Sequence, residues 1–525
     1  MEQRRLYPVG IQDFEDFRSR GLIYVDKTAY VYRMANGGGR TVFLSRPRRF
    51  GKTLLCNTLK HYFLGHRDLF KGLAIDSLEK DWTVYPVLNF DMSRCKSDNI
   101  NEVKTLIDGM LRQYEEQWHI CDPIDSLGGR LQNIVLKAHQ ATGQKVVLIF
   151  DEYDSPVLNV IDSEEKQIAM RSLFNTFYGP VKSMYEHLRF VFITGITKFS
   201  QMSIFSSINN ISNITMDAAY EGICGITADE LEQYFAPDIE ELATNLRCTP
   251  EQALQRLRDR YDGYHFSQAL TDVYNPFSLI NAFNKMRLGM YWFDSATPSS
   301  LIKVLDHYQF RLDNLEGVTL MESAFNQPFD NFKTAIHILT QSGYLTIKDY
   351  DWESEMYTLG IPNKEVYDGL YNCLMQLLVN ENPQDNSNIL IAVWRAMRDD
   401  DIDAALRAVQ SYLAALPYDL SNKTEKDYET ILRVLFDGLG IKVDTEVKNA
   451  TGRCDVVMKS KTTVYVLELK LDGNGTVDDA LAQIDEKNYL IPYWNDPRPK
   501  VKVGVLVDPT RRTITEWKQE NKRPE

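Results

Sequence analysis

Residues 42–53, with the sequence VFLSRPRRFGKT, constrain the fold of this chain more than any other stretch. An apolar, β-prone run opens the stretch and a helical pattern, LLCNTL, follows it. Gly-Lys-Thr between a strand and a helix is typical of a phosphate-binding loop. The glycine lets backbone N–H groups approach phosphate oxygens, the lysine reaches the β- and γ-phosphates, and the threonine hydroxyl can ligate Mg²⁺. The helix N-terminus adds partial positive charge. The sequence therefore predicts a nucleotide-phosphate site at Gly51, Lys52 and Thr53.

The loop departs from the usual pattern at one position. The pattern G-x-x-x-x-G-K-[ST] has glycine where this chain has Arg46. We expect side-chain charge to supplement the backbone N–H groups, and one of Arg46, Arg48 and Arg49 to contact the nucleotide. The alternative is a chance Gly-Lys-Thr in a basic turn, which would have no acidic partner further along the chain.

An acidic partner follows the apolar run at residues 146–150. Asp151 and Glu152 stand at the C-terminal edge of this strand, where α/β sheets bind ligands. One carboxylate there can hold Mg²⁺ and the other can polarise an attacking water. A strand capped by two solvated acids is the alternative, and the pairing with Gly-Lys-Thr favours the nucleotide site.

At the end of a further strand, residues 189–194, Thr194 and Lys198 are candidate γ-phosphate sensors; an ordinary turn explains them equally well.

Buried strands at 42–44, 84–90, 146–150 and 189–194 alternate with amphipathic helices at 101–118 and 126–140. This alternation predicts a mostly parallel sheet covered by helices on both faces. Residues 227–286 have a helical pattern. Residues 287–379 combine helices with short strand-like pieces, which suits a winged-helix-like module. The composition of residues 380–388 is typical of a linker.

A second group of polar residues lies on a predicted hairpin at 452–458 and 464–470. Residues two apart on a strand point to the same face, so Glu468 and Lys470 project together, and Asp455 on the neighbouring strand can join them. Two carboxylates can hold a divalent metal, and a lysine can position a water and offset charge on phosphate. Glu429 and Gln483, on the flanking helices, are further candidates, and Glu425 would fit in place of Glu429. An exposed hairpin with a cross-strand ion pair is the alternative.

Composition limits the class of protein. A length of 525 residues predicts three or four domains. The net charge of -14 argues against a protein that coats nucleic acid non-specifically, although residues 421–525 are balanced, with 18 Lys and Arg against 18 Asp and Glu. The 7 cysteines are scattered, which predicts reduced thiols in the cytoplasm and no structural metal site. No secretion signal or membrane-spanning run is expected.

Together these motifs resemble the bacterial AAA-ATPase-like proteins that end in a PD-(D/E)XK nuclease domain. The resemblance rests on YVDKT at 24–28, RPRRFGKT at 46–53, DEYD at 151–154, Thr194-Gly195, and the terminal GRxD…ExK at 452–470. It covers about 1–225 and 390–525 well and the middle less specifically. An arginine-rich loop is usual in that family, so Arg46 looks like a family trait. The resemblance implies that Lys52 and Thr53 bind phosphate and Mg²⁺, that Asp151 and Glu152 serve metal and water, and that Asp455, Glu468 and Lys470 form the nuclease centre. The full set of residues that we expect to bind ATP and Mg²⁺ is Arg46, Arg49, Phe50, Gly51, Lys52, Thr53, Leu54, Asp151 and Thr194.

We therefore expect an α/β multidomain chain with an AAA-ATPase-like P-loop NTPase domain at 1–225. This domain is followed by a helical lid with a winged-helix-like region at 226–388. The last domain, at 389–525, is a restriction-endonuclease-like α/β domain. The expected function is a cytoplasmic, ATP-binding module that controls metal-dependent cleavage of nucleic acid, with DNA favoured over RNA and both left open as targets. The alternative is a nucleotide-dependent switch or scaffold whose nuclease fold is inert. A processive translocase is less well supported, and the sequence leaves open whether the chain forms homo-oligomers or hydrolyses ATP.

Overall fold

The computed structural model describes residues 5–121, 124–160, 163–197, 211–295, 317–325, 336–370, 392–393, 395–414, 428, 432, 442–449, 452–460, 462–511 and 513–522. The chain divides into two compact units, Met1–Tyr367 and Asp368–Glu525. We call them the first and the second unit and describe each by itself. The division into domains at 1–225, 226–388 and 389–525 stays a prediction. Among the described residues, no helix combines the length and the apolarity needed to cross a bilayer.

A parallel sheet is the centre of the first unit. Its strands are β1 (Thr41–Ser45), β2 (Val87–Asp91), β3 (Val146–Asp151), β4 (Leu188–Gly195) and β5 (Ile211–Asn213), in the order β2-β3-β4-β1-β5. The strands β1 and β3 are buried along their whole length because helices cover both faces, which explains their unbroken apolar sequences. The predicted parallel α/β sheet is confirmed, with strand boundaries within three residues of those expected.

Helices surround this sheet and follow the amphipathic patterns of the sequence. The two longest predicted ones, 101–118 and 126–140, are α5 and α6, and each begins at a capping Asn99 or Ser126 whose side chain accepts a backbone N–H. The helices of this part are α1 (Phe14–Ser19), α2 (Thr28–Asn36), α3 (Lys52–Phe63), α4 (Ala74–Leu78), α5 (Ile100–Gln117), α6 (Leu127–Thr142), α7 (Ser155–Leu158) and α8 (Glu164–Tyr178).

The remainder of the first unit is mainly helical, as the pattern from residue 227 predicts. Thr227 and Thr249 each begin a helix with a reciprocal capping box, and the helices share one apolar core. Its described helices include α9 (Ala228–Asn245), α10 (Pro250–Tyr261), α11 (Pro276–Lys285), α12 (Tyr291–Ser295), α13 (Glu322–Phe325) and α14 (Ile336–Ser342). The strands are β6 (Ile226–Thr227) paired with β7 (Val273–Tyr274), and an antiparallel sheet β8-β10-β9 made of β8 (Val318–Met321), β9 (Thr346–Asp351) and β10 (Met356–Gly360). The winged-helix-like assignment stays a prediction.

The second unit is built on a mixed sheet. Its strands are β11 (Lys442–Asn449), β12 (Gly452–Lys459), β13 (Val464–Leu471), β14 (Lys500–Asp508) and β15 (Thr513–Lys522), in that order across the sheet. The pair β13 and β14 is parallel, and the other neighbours are antiparallel. Two of the described helices pack against this sheet: α15 (Ile402–Ala414) and α16 (Val477–Glu486). Helix α16 approaches β14 so closely that a Cβ at Gly504 would lie 2.6 Å from the Val477 carbonyl oxygen, so only glycine fits there.

The hairpin predicted from residues 452–470 is present as β12 and β13. Several other predictions fall outside the described residues: the linker at 380–388, the candidate sensor Lys198, the candidate acid Glu429, and nearly all of the helix expected at 425–437.

Candidate nucleotide site and candidate nuclease centre

The loop between β1 and α3 has the backbone that the glycine at its end predicts. Gly51 adopts φ 96°, a left-handed conformation that favours glycine, and it is the N-cap of α3. Arg49 also has a positive φ, 66°. Among the described residues, no atom lies within 4 Å of the position that a Cβ on Gly51 would occupy. The described part of the chain therefore leaves room for a phosphate group at the N-terminus of α3.

Lys52, the first residue of α3, is 3% exposed and is turned into the loop. Its Nζ donates to the carbonyl oxygens of Arg46 and Pro47, both at 3.0 Å. Carbonyls are weaker acceptors for an ammonium group than charged phosphate oxygens, because charge-assisted hydrogen bonds between two ions are stronger. Lys52 is thus held beside the loop by contacts that a phosphate can replace.

A cavity of ≈ 580 Å³ lies in front of the loop. Its lining includes aromatic rings from Phe17 and Phe277 together with cationic side chains, polar groups and the carboxylate of Glu152. Apolar walls with a few convergent polar groups are typical of small-molecule sites. The residues that line it are Pro8, Gly10, Ile11, Gln12, Phe17, Arg48, Arg49, Gly51, Lys52, Thr53, Leu54, Ser93, Lys96, Glu152, Ser155, Asn159, Pro276, Phe277, Ile280 and Ser295.

The acidic pair lies at the carboxyl end of β3. Asp151 is 2% exposed, and burial is the main cause that raises its pKa to about 6, against a side-chain hydrogen bond from Thr53 that lowers it. Its Oδ1 has no hydrogen-bond partner among the described residues. Glu152 lines the cavity and has φ 47°, a conformation that costs a non-glycine residue energy and is concentrated at functional sites. A buried carboxylate oxygen without a donor, beside a threonine hydroxyl, fits a Mg²⁺ ligand set.

Four of the residues expected to bind ATP or Mg²⁺ are not among those that line the cavity: Arg46, Phe50, Asp151 and Thr194. Asp151 is hydrogen-bonded to Thr53, which does line it, whereas the other three have partners elsewhere. Arg46 is buried, and its guanidinium donates to the carbonyl oxygens of Ser45 and Thr215, at 2.9 and 2.8 Å, and lies 4.0 Å from the Phe266 ring centroid. The expectation that Arg46 reaches the nucleotide therefore needs correction, because these partners hold the side chain away from the cavity.

Phe50 and Thr194 are also outside the residues that line the cavity. The Phe50 ring packs edge-on against Tyr264, with centroids 4.8 Å apart, and so attaches the loop to the helical part of the unit. The Thr194 hydroxyl donates to the Leu44 carbonyl oxygen at 2.8 Å, so it joins β4 to β1. By contrast, Arg48, Arg49 and Leu54 do line the cavity.

Several polar residues of the cavity were not predicted from the sequence, among them Ser93 and Lys96. Both follow β2, whose last residue Asp91 lies beside Asp151 in the parallel sheet. A sequence signal existed, because polar residues after neighbouring parallel strands meet at the same sheet edge. The sequence also gave no indication that Trp292 contacts the loop: its Nε1 donates to the Arg48 carbonyl oxygen at 2.9 Å.

In the second unit, β13 brings together the residues predicted for the nuclease centre. Glu468 is 1% exposed, and the Nζ of Lys470 lies 3.4 Å from its Oε1. Asp455 on β12 accepts the backbone N–H of Leu469 at 2.8 Å, which places its carboxylate over β13. Gln483 on α16 donates its Nε2 to Glu468 Oε1. Four of the five candidate residues thus form one cluster, and the fifth, Glu429, lies outside the described residues.

The electrostatics of this cluster favour a bound cation. Burial, followed by the negative charge of Asp455, raises the pKa of Glu468 to about 8, while Lys470 lowers it. Glu468 Oε2 has no hydrogen-bond partner among the described residues. Two neighbouring carboxylates, one of them buried with an unsatisfied oxygen, are suited to a hard divalent ion such as Mg²⁺.

Comparisons with known proteins agree with this division into two sites. Residues 8–205 match the protein family described as "Predicted AAA-ATPase", and residues 423–517 match the "PD-(D/E)XK nuclease superfamily". The chain is also similar to the "Uncharacterized protein in vnfD 5'region" of Azotobacter chroococcum mcd 1, with 28% identity over 520 residues, which are 97% of this chain and 98% of that protein.

Proposed function

We propose that this chain, which carries a predicted AAA-ATPase domain and a PD-(D/E)XK nuclease domain, is an ATP-dependent nuclease. In this proposal the nucleotide bound in the first unit controls cleavage of nucleic acid phosphodiesters by the second. The observation that carries the proposal is the cluster of Asp455, Glu468, Lys470 and Gln483, in which a buried carboxylate keeps one oxygen unsatisfied. An exposed hairpin with a simple ion pair would not bury that carboxylate.

At the nucleotide site, the chain's own groups have separate tasks. The N–H groups at the start of α3 and Lys52 would bind the β- and γ-phosphates, and Arg48 and Arg49 would add positive charge from the cavity wall. The Phe17 and Phe277 rings offer apolar surface to the base. Glu152 would accept a proton from, or orient, the attacking water. Thr53 and Asp151 would hold Mg²⁺, which when bound neutralises charge on the phosphates.

At the nuclease centre, Asp455 and Glu468 would hold a divalent metal ion that activates a water and stabilises the charged phosphate. Gln483 fixes the orientation of the Glu468 carboxylate through the hydrogen bond to Oε1. Lys470, held 3.4 Å from the same oxygen, would position the attacking water and offset charge that develops on the phosphate. We further propose DNA as the main substrate and the cytoplasm as the location.

The test is a cleavage assay on plasmid DNA, single-stranded DNA and RNA, with Mg²⁺ or Mn²⁺, in the presence and absence of ATP. Wild type is compared with Lys52→Ala, Glu152→Gln and Asp455→Asn. We expect Asp455→Asn to lose cleavage and keep nucleotide binding, Lys52→Ala to lose nucleotide binding and ATP-dependent cleavage, and Glu152→Gln to bind ATP without hydrolysing it.

The outcomes separate the two halves of the proposal. Cleavage that is unaffected by ATP and by Lys52→Ala would contradict control by the nucleotide. Absence of cleavage in every arm would contradict the nuclease assignment. If Lys52→Ala then still abolished binding to nucleic acid or protein, the chain would be a nucleotide-dependent switch with an inert nuclease fold.

A further inference from the structure

A third group of metal-ligating side chains lies in the first unit, apart from the residues assigned above. Asp13 and Glu15, at the start of α1, and His61, near the end of α3, each offer one ligand atom, and these atoms lie within 4.8 Å of one another. Asp13 and Glu15 are exposed, whereas His61 is 3% exposed. The two elements therefore converge on one point with two carboxylates and one imidazole.

The hydrogen bonds of His61 indicate that its Nε2 carries a lone pair and no hydrogen. Its Nδ1 lies 2.8 Å from Nδ1 of His66, so one of these two atoms carries the hydrogen. If His61 Nδ1 is the donor, its Nε2 carries a lone pair. If His66 is the donor, the neutral His61 carries hydrogen on Nε2, and that N–H should reach a carboxylate. Nε2 has no hydrogen-bond partner among the described residues, so the first arrangement fits better.

The imidazole of His61 is buried, with one ring nitrogen hydrogen-bonded to His66 and the other without a partner among the described residues. An imidazole whose Nδ1 is hydrogen-bonded to a neighbour, and whose Nε2 has no hydrogen-bond partner among the described residues, has the arrangement of a metal-ligating histidine. Because His66 engages Nδ1, Nε2 is the ring nitrogen left for a metal ion beside the two carboxylates.

We propose that Asp13, Glu15 and His61 bind a divalent transition-metal ion of the zinc class. Nitrogen and carboxylate oxygen donors suit Zn²⁺, and three protein ligands leave one position for water. Bonds to tetrahedral Zn²⁺ place donor atoms roughly 3.3 Å apart, whereas the atoms here lie within 4.8 Å of one another, so some of them must approach by up to about 1.5 Å. The exposed carboxylates permit this by rotation, although Asp13 would keep the hydrogen bond that its Oδ1 accepts from the Asp16 N–H.

The position of the site gives the ion a structural role. His61 belongs to α3, which begins at the phosphate-binding loop, and Asp13 directly follows Gly10, Ile11 and Gln12, which line the nucleotide cavity. A metal ion here would link that cavity wall to α3. The proposal does not depend on ATP hydrolysis or on nuclease activity.

The test is a Co²⁺ titration of the full chain, followed by visible d–d absorption, and Zn²⁺ competition. Both are carried out in an Asp151→Asn, Asp455→Asn background so that ions at the other two sites do not contribute. We expect one equivalent of Co²⁺, displaced by Zn²⁺ and not by equimolar Mg²⁺. Glu15→Gln and His61→Gln should lower the affinity at least about tenfold, and His66→Phe should lower it about 10- to 100-fold because it removes the partner that orients His61.

Two matched variants serve as controls. Asp16→Asn changes an acid on the same short helix, and His139→Gln removes a histidine elsewhere in the unit. Neither variant should change Co²⁺ binding. Because His61 is buried and its variant can fail to fold, the exposed Glu15 decides the outcome. The proposal would be overturned if the background variant bound no Co²⁺. It would also be overturned if adding Glu15→Gln or Asp13→Asn left the Co²⁺ affinity equal to that of the background variant.

Discussion

Asp151 in the first unit and Glu468 in the second are similar acids in different surroundings. Each is buried on a strand with a parallel neighbour, each has a pKa raised mainly by burial, and each keeps one carboxylate oxygen without a partner among the described residues. They differ in the lysine beside them. Lys52 is bound to loop carbonyls, whereas Lys470 lies 3.4 Å from Glu468 itself.

This difference indicates how each site is completed. At the nucleotide site, phosphate must draw Lys52 away from two carbonyl oxygens, so part of the binding free energy is spent on rearranging the loop. At the nuclease centre, Lys470 and Gln483 are already held against Glu468, and only the cation and the substrate are to be added. We infer that the first site responds to its ligand by a conformational change and that the second is preorganised.

The largest expected effects come from exchanging the two lysines for methionine, which keeps length and removes charge. Lys470→Met should lower the cleavage rate by about 10²- to 10³-fold, since it removes a preorganised group that stabilises phosphate charge. It should leave ATP binding unchanged. Lys52→Met should abolish ATP binding in a filter or calorimetric assay and leave metal binding by the second unit intact.

Lys60→Met on α3 and Lys518→Met on β15 are the controls for charge loss in the two units. If Lys470→Met cleaved as fast as wild type, Lys470 would be only a structural partner of Glu468. If Lys52→Met bound ATP normally, the proposed replacement of the carbonyls by phosphate would be wrong.

Glu468→Gln tests whether burial of the acid costs stability. The pKa of Glu468 is raised from 4.5 to about 8 in the folded chain, so the folded state binds more protons than the unfolded state between these values. The free energy of unfolding therefore falls as the pH rises through this window and is highest below pH 4.5 as far as this group is concerned. Glu468→Gln should remove the loss and stabilise β13 by up to about 5 kcal/mol at pH 9 in a metal-free buffer, since each pKa unit corresponds to about 1.4 kcal/mol.

Hydrogen exchange of peptides from β13 in the full chain measures this local stability without assuming that the two units unfold together. Glu516→Gln, an exposed acid on β15, should show no such gain. Equal protection of wild type and Glu468→Gln at pH 9 would mean that the acid is stabilised in its charged form even without metal.

The pH dependence of metal binding compares the two acids directly. A cation must displace the proton of a protonated carboxylic acid, so the apparent affinity rises about tenfold per pH unit until the acid is ionised. For Asp151 the rise should end near pH 6, and for Glu468 near pH 8. Mn²⁺ titrations of the Asp455→Asn and Asp151→Asn variants, each with one site impaired, report on the remaining site. Identical profiles would remove the distinction between the sites.

The contrast between the two sites also explains what the sequence could predict. The strand-end acids, the Gly-Lys-Thr loop and the Glu-x-Lys pair could be predicted because each lies next to or within an apolar strand pattern that is visible locally in the sequence. The parallel sheet and the hairpin of the structure confirm these strands. The orientation of Arg46 could not be predicted, because it depends on the Phe266 ring and the Thr215 carbonyl, which are far away in sequence. For the same reason, adjacent arginines in the loop differ: Arg48 and Arg49 line the cavity and Arg46 does not.

The smallest expected effect concerns the contact between the loop and the helical part of the first unit. Trp292→Phe keeps most of the ring and removes the Nε1 hydrogen bond to the Arg48 carbonyl oxygen. A hydrogen bond of this kind contributes about 1 kcal/mol, so ATP affinity should change only a few-fold if the bond holds the loop in one state more than in the other. Trp352→Phe, at a strongly exposed position, is the control.

The direction of the change in ATP affinity decides between two roles of Trp292. Weaker ATP binding in Trp292→Phe would mean that Trp292 supports the loop in its ligand-bound form. Tighter binding would mean that it holds the loop in the form in which Lys52 is bound to the carbonyls, and that the helical part resists the conformational change by which the nucleotide site differs from the nuclease centre.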